Sequence, residues 1–352
     1  YCDWSSDVCS SDLNIPYIIM AVLAFSLLVI IHELGHFIMC KLNGVTVSEF
    51  SLGMGPKLFG IKGKETEYLI KAFPVGGYVK MEGEEESSSD PRSFTNKTPV
   101  QKLSIVSAGA IMNLVLAVVL FAIVGAAKGY VLPIIGQVVS NSPAMHSGLK
   151  VGDKITKIDK VKINRWDEFI NIVYVSKGQS MNIEVLRDSK LIDISLKPVK
   201  NLKEDRYMIG IATSGLEKKL NFGEAVGYGF SQTVDTAKQT FGVFGTMFKG
   251  QFSSSDVGGP ISIMRISTKA AQSGFTTLLY FTALMSVQLG IFNIIPFPAL
   301  DGGWIFMLLF EIISGKKLDD NKVGTINYIG FMFLMALMVV VVIKDIVSPL
   351  KF

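Results

Sequence analysis

Residues 29–40, VIIHELGHFIMC, place two histidines and a glutamate directly behind an apolar run. On a helix advancing about 100° per residue, His32 and His36 lie about 40° apart and one turn along, so both imidazoles can reach one metal ion. Neutral imidazoles suit zinc, and Glu33 stands beside that face, where a carboxylate can take a proton from water. The chain has three histidines, and two of them fall in this spacing. The competing reading, helix-end histidines at a membrane surface, leaves Glu33 unexplained. An acidic group at bilayer depth costs about 2.5–3.5 kcal/mol on insertion scales. Structural zinc sites are worth on the order of 10 kcal/mol, which offsets that cost.

Two histidines leave such a site short of a donor. The stretch FNIIPFPALDGGWIF, residues 292–306, interrupts an apolar run with Pro296, Pro298, Asp301 and two glycines. Prolines break a helix, and irregular backbone at membrane depth is tolerated only where protein or a polar cavity surrounds it. Asp301 is the natural third ligand. It could equally cap the helix that follows, and the motif alone does not choose.

These groups need elements to hold them. The 352 residues are 49% hydrophobic and 18% charged, with a mean hydropathy of +0.42, the composition of a membrane protein carrying a water-exposed part. A net charge of +4 without an arginine-rich block gives nucleic-acid binding no support. Cys2, Cys9 and Cys40 form no paired-cysteine pattern, so neither a disulfide framework nor a cysteine metal site is indicated. Residues 1–14 read as a non-native extension, outside the fold.

Apolar runs of membrane length, about 20 residues each, predict four transmembrane helices at 15–40, 102–128, 275–306 and 325–346. Ser104, Ser107 and Asn113 in the second, and Gln288 and Asn293 in the third, mark helices that line something polar. Nine basic residues from Lys41 to Lys102, together with Lys316, Lys317 and Lys322 in the connection 307–324, assign those loops to the cytoplasm. The segment between the second and third spans is then extracytoplasmic.

The loop 41–101 alternates β-branched and aromatic residues with Gly-rich breaks and reads as membrane-associated β-hairpins, followed by an acidic, Ser-rich stretch. Residues 132–202 predict strands with one helix at about 166–176, a small α+β domain. Residues 203–274 form a linker with an amphipathic helix. Within the small domain, SGLKVGDKITKIDKVKI resembles the PDZ signature, a fold that offers a strand edge to an extended peptide or a chain terminus.

Together, HELGHF on the first span, NIIPFPALDGG at the third, the PDZ-like insert and GMGP in the intervening loop resemble the bacterial site-2 proteases, the RseP-type intramembrane zinc metalloproteases of the M50 class. The resemblance covers residues 15–352. It implies a polytopic α-helical membrane protein of the cell membrane, with its active site toward the cytoplasm and one extracytoplasmic PDZ-like domain. It implies one Zn2+ on His32, His36 and Asp301, Glu33 as general base, and Asn293, Gly53, Gly55 and Asn113 holding substrate. The substrates implied are single-span membrane proteins such as anti-sigma factors or remnant signal peptides, cut within or beside the bilayer. SAGAIMN at 107–113 departs from the family's A-G-P-x-x-N by Ala110, and Trp304 replaces a His or Arg. From another class, a membrane-anchored PDZ scaffold with a structural or vestigial zinc site would predict bound metal without cleavage. A transporter finds little footing, since no inverted repeats are evident.

Overall fold

The structure is a computed structural model that describes residues 15–83, 89–201, 206–248, 258–316 and 319–347. The expected N-terminal extension, residues 84–88 of the acidic stretch and part of the segment after the small domain lie outside the described residues. The described residues form two compact units, one from those up to Ile123 and from Val226 onward and the other from those within Val124–Ala225.

In the first unit, α1 (Ile15–Leu42) carries the HELGH motif. β1 (Val47–Lys62) and β2 (Glu67–Met81) follow as one long hairpin that is folded over on itself. Residues 49–52 pair on one side with 77–80 and on the other with 67–70, while 57–62 pair with 67–71. The bends fall at the glycines: Gly53, Gly55 and Gly76 have φ of 82°, 90° and 83°, a region that residues with a Cβ rarely enter. A hairpin expected from the sequence thus becomes a curled sheet of four segments. α2 (Pro99–Lys128) starts at a capping box. Gln101 N–H donates to Thr98 Oγ1 at 3.3 Å, Thr98 N–H donates to Gln101 Oε1 at 3.1 Å, and proline occupies the first helical position.

The second unit contains β3 (Tyr130–Val131), β4 (Ile135–Val138), α3 (Pro143–Ser147), β5 (Lys154–Ile158), β6 (Val161–Lys162), α4 (Trp166–Val175), β7 (Met181–Arg187) and β8 (Lys190–Leu196), then the short strands β9 (Val199–Asn201), β10 (Arg206–Met208), β11 (Ile211–Thr213) and β12 (Glu217–Lys218). Its main sheet runs β6-β5-β7-β8. Alternate residues Met181, Ile183 and Val185 of β7 are buried beneath α4, with Ile155, Ile158, Trp166 and Phe169 in the same core, the period-2 pattern of a half-buried strand. The unit reaches further than 132–202 because β11 returns to pair with β4 and β12 with β3. Asp153 is buried, accepting from Arg187 Nε at 2.6 Å and Nη2 at 2.7 Å and from the Lys150 amide at 2.9 Å.

The chain completes the first unit with α5 (Phe222–Phe248), α6 (Pro260–Gln272), α7 (Phe275–Ile294), α8 (Asp301–Ser314) and α9 (Asp320–Val347). Among the described residues, α1, α2, α7 and α9 are long and apolar enough to cross a membrane, the four spans expected from composition. The third differs in extent. Its helix stops at Ile294 and a new one starts at Asp301, since neither Pro296 nor Pro298 can donate the hydrogen bond that would continue it. α6 is anchored by Asp345 of α9, which accepts from the Ser262 amide at 2.8 Å and hydroxyl at 2.7 Å.

Candidate active site

His32 and His36 are buried on α1, and their Nε2 atoms lie 3.2 Å apart. Asp301 Oδ2 approaches them at 3.2 Å and 3.4 Å. Asp301 reaches this point because α7 has ended and α8 begins at that residue, with Leu300 as the cap. The N-cap position thus belongs to its neighbour Leu300, whose side chain makes no cap hydrogen bond, and Asp301 stands as the first residue of the helix. Both glycines behind it face backbone: a Cβ at Gly302 would lie 2.0 Å from the Ile295 carbonyl oxygen, and one at Gly303 2.6 Å from that of Phe297. Glycine is what lets α8 fold tightly onto the break. α9 braces the same turn, since Asn327 Oδ1 accepts from the Ala299 amide at 3.3 Å and a Cβ at Gly330 would lie 2.5 Å from Pro298.

α2 supplies the floor through one face. Ile105 accepts from His36 Nδ1 at 2.9 Å through its carbonyl, and Asn113 approaches His32 Nδ1 at 3.2 Å. Between them is Gly109, where a Cβ would lie 2.4 Å from His36 Nε2 and 2.8 Å from His32 Nε2. Residues 105, 109 and 113 repeat every fourth position, the spacing that keeps one helix face turned to a neighbour. A Cβ at Gly35 would lie 2.4 Å from the Ala108 carbonyl oxygen, so α1 and α2 touch through glycine on both sides.

The donor set fits zinc. Ligands about 2.0–2.1 Å from a tetrahedral ion stand about 3.3–3.4 Å from one another, and the three separations here are 3.2, 3.2 and 3.4 Å. With the His36 proton on Nδ1 toward Ile105, its Nε2 lone pair faces the Asp301 carboxylate. Asp301 Oδ2 is buried without a hydrogen-bond partner among the described residues. Such a meeting of lone pairs is repulsive unless a cation occupies it.

Glu33 accepts a hydrogen bond from the Val79 backbone, and β2 comes close because residue 77 is glycine, whose absent Cβ would stand 3.3 Å from Glu33 Cγ. A cavity of about 230 Å³ opens here, walled by His32, Glu33, His36, Asp301, Tyr78 and Trp304, among others. The structure thus gathers His32, Glu33, His36, Asp301 and Asn113. It does not bring Asn293, Gly53 or Gly55 into the cavity wall. Asn293 is half-buried in the last turn of α7, and the two glycines form the bend of β1. Tyr78, Val79 and Gly109 were not singled out from the sequence. The paired glycines of FPVGG and the glycine one helical turn before Asn113 were the available signals. Trp304, which stands where the family pattern has a His or Arg, is part of the cavity wall together with Asp301.

Relatives of known sequence are full-length matches. A Clostridium acetobutylicum protein is 48% identical over 95% of this chain and 98% of its own. The Regulator of sigma-W protease RasP of Bacillus subtilis is 29% identical over 94% of this chain and 98% of its own. Zinc metalloprotease RasP of Geobacillus kaustophilus is 27% identical over 94% and 97%. A solved PDZ domain of an SdrC-like protein from Listeria monocytogenes is 27% identical over 23% of this chain and 84% of that one, at a TM-score of 0.22, too low a likeness to bear on the fold. The family model for Peptidase family M50 matches residues 20–337, through both the HELGH helix and the LDGG turn, and the chain accordingly belongs to peptidase family M50 and is a zinc metalloprotease.

Proposed function

We propose that the chain hydrolyses peptide bonds in or beside the membrane-spanning segments of other proteins, with one zinc ion on His32, His36 and Asp301 and Glu33 as general base. The observation that carries this reading is the meeting of those four side chains in one cavity between helices of membrane-crossing length and composition. Bound zinc supplies Lewis acidity, which acidifies water and polarises a carbonyl. Glu33, oriented by the Val79 amide, takes the proton from water and returns it to the departing amine. The reading as a scaffold with a structural site finds less support, since structural zinc sites are closed whereas this one borders a cavity of about 230 Å³.

A helical substrate hides its peptide groups in its own hydrogen bonds and must unwind before attack. Residues 77–80 of β2 pair on one side with 49–52 and, among the described residues, with no strand on the other, and Tyr78 and Val79 wall the cavity. An unwound segment adding to that edge would lie along Glu33. Single-span proteins such as anti-sigma factors and remnant signal peptides are the substrate class, drawn from the family resemblance. The PDZ-like unit would take an extended peptide or chain terminus from the extracytoplasmic side. Glu33→Gln in proteoliposomes with a membrane-spanning substrate is expected to lower turnover at least about 100-fold while zinc content stays equal to wild type. Undiminished turnover would remove the general-base role.

A further inference from the structure

For both histidines to turn an Nε2 lone pair toward one ion, each must carry its proton on Nδ1, and each Nδ1–H then requires an acceptor. His36 has one in the Ile105 carbonyl at 2.9 Å. His32 Nδ1 faces the carboxamide of Asn113 at 3.2 Å, and Asn113 is fully buried. With the amide nitrogen turned toward the ring, two groups that could each donate face one another, and Asn113 Oδ1 is buried with no partner among the described residues. The two ends of a carboxamide are assigned from their hydrogen bonds. Turning the group by 180° brings the oxygen against Nδ1–H and gives it the donor it lacks. The residue is held from behind as well, since Ser286 of α7 donates to its main-chain carbonyl at 2.7 Å.

We propose that Asn113 is a positioning residue, its side-chain oxygen accepting Nδ1–H of His32 and fixing the tautomer whose Nε2 lone pair faces Asp301 and His36. This differs from the substrate-holding role implied by the family resemblance. A carboxamide fully buried against the imidazole is a poor contact for an incoming peptide and a good one for a ligand that must not turn. The inference rests on the reading of His32, His36 and Asp301 as zinc ligands.

The test uses the full chain in detergent, with zinc affinity from chelator competition and the His32 tautomer from 15N chemical shifts of labelled, zinc-free protein. Asn113→Leu, of similar bulk but without an acceptor, is expected to weaken zinc binding about 10–100-fold. Asn113→Asp, which keeps an oxygen acceptor, is expected to recover at least about tenfold of that loss, a rescue that a packing role would not produce. Wild type is expected to carry the His32 proton on Nδ1, a readout independent of whether Asn113→Leu folds. Wild-type affinity in Asn113→Leu, or an Nε2–H tautomer in wild type, would overturn the proposal. A His32→Ala variant that binds zinc as wild type does would instead sink the ligand assignment, and this proposal with it.

Discussion

At Gly109 the difference between a working and a blocked site is one carbon atom. A Cβ there would lie 2.4 Å from His36 Nε2 and 2.6 Å from His32 Cε1, inside any real contact distance, and it would press on both imidazoles at once. Glycine to alanine inside a helix ordinarily favours the helix by about 1 kcal/mol, so local propensity and site geometry oppose each other at this position. Gly109→Ala is expected to lower zinc affinity at least about tenfold without lowering the thermal midpoint of the zinc-free protein. Equal affinity in a chelator titration would mean that the imidazoles yield and the glycine is not required. Gly77 poses the same question for the base, because its missing Cβ is what allows β2 to bring the Val79 amide to Glu33.

Elements matter here where they are interrupted. The helix ending at Ile294 and restarting at Asp301 turns a carboxylate inward that an unbroken helix would carry elsewhere, and Ala299, at a φ of 71°, marks the tightness of the turn. The bends at Gly53, Gly55 and Gly76 similarly curl the hairpin until residues 77–80 lie along α1. In the second unit the corresponding fixed point is Asp153. Burial alone would raise its pKa, but the Arg187 hydrogen bonds and the Lys150 amide outweigh it and hold the carboxyl below its usual range. An acid whose pKa is lowered on folding stabilises the fold above its unfolded value, about 3.9, and that stabilisation is lost as pH falls through the lower folded value. Asp153→Asn is therefore expected to destabilise the unit by about 1–3 kcal/mol at pH 7, with the gap to wild type closing as pH falls below about 4. Urea unfolding followed across that range checks it, and a gap independent of pH would assign the loss to shape and not to charge.

Over the whole molecule, four helices of membrane length divide the chain into loops of unequal charge. By the charge rule, the nine basic residues from Lys41 to Lys102 predict a cytoplasmic loop there and an extracytoplasmic location for the second unit, an expectation that labelling can test. Both Lys62 and Lys190 are exposed. In a background with the three cysteines replaced, Lys190→Cys is expected to react with a membrane-impermeant maleimide in intact cells, and Lys62→Cys only after lysis. The reverse pattern would invert the topology and set the active site toward the outside.

The sequence by itself determined the chemistry and the spans: H-E-x-x-H spacing brings two imidazoles to one face through helix periodicity alone, and hydropathy identifies membrane helices because backbone polar groups cannot be left unpaired in lipid. The period-2 burial of Met181, Ile183 and Val185 was legible for the same reason of regular geometry. Only the tertiary structure brings Asp301 beside both histidines with Leu300 at the N-cap position, turns Asn113 to His32 and sets Gly109 against both imidazoles. Those outcomes depend on which faces of α1, α2 and α8 meet, and contacts between residues separated by 73 to 269 positions leave no periodic trace in the chain. The expectations for Asn293, Gly53 and Gly55 came from motif likeness, which names residues without saying which way a bend will turn them.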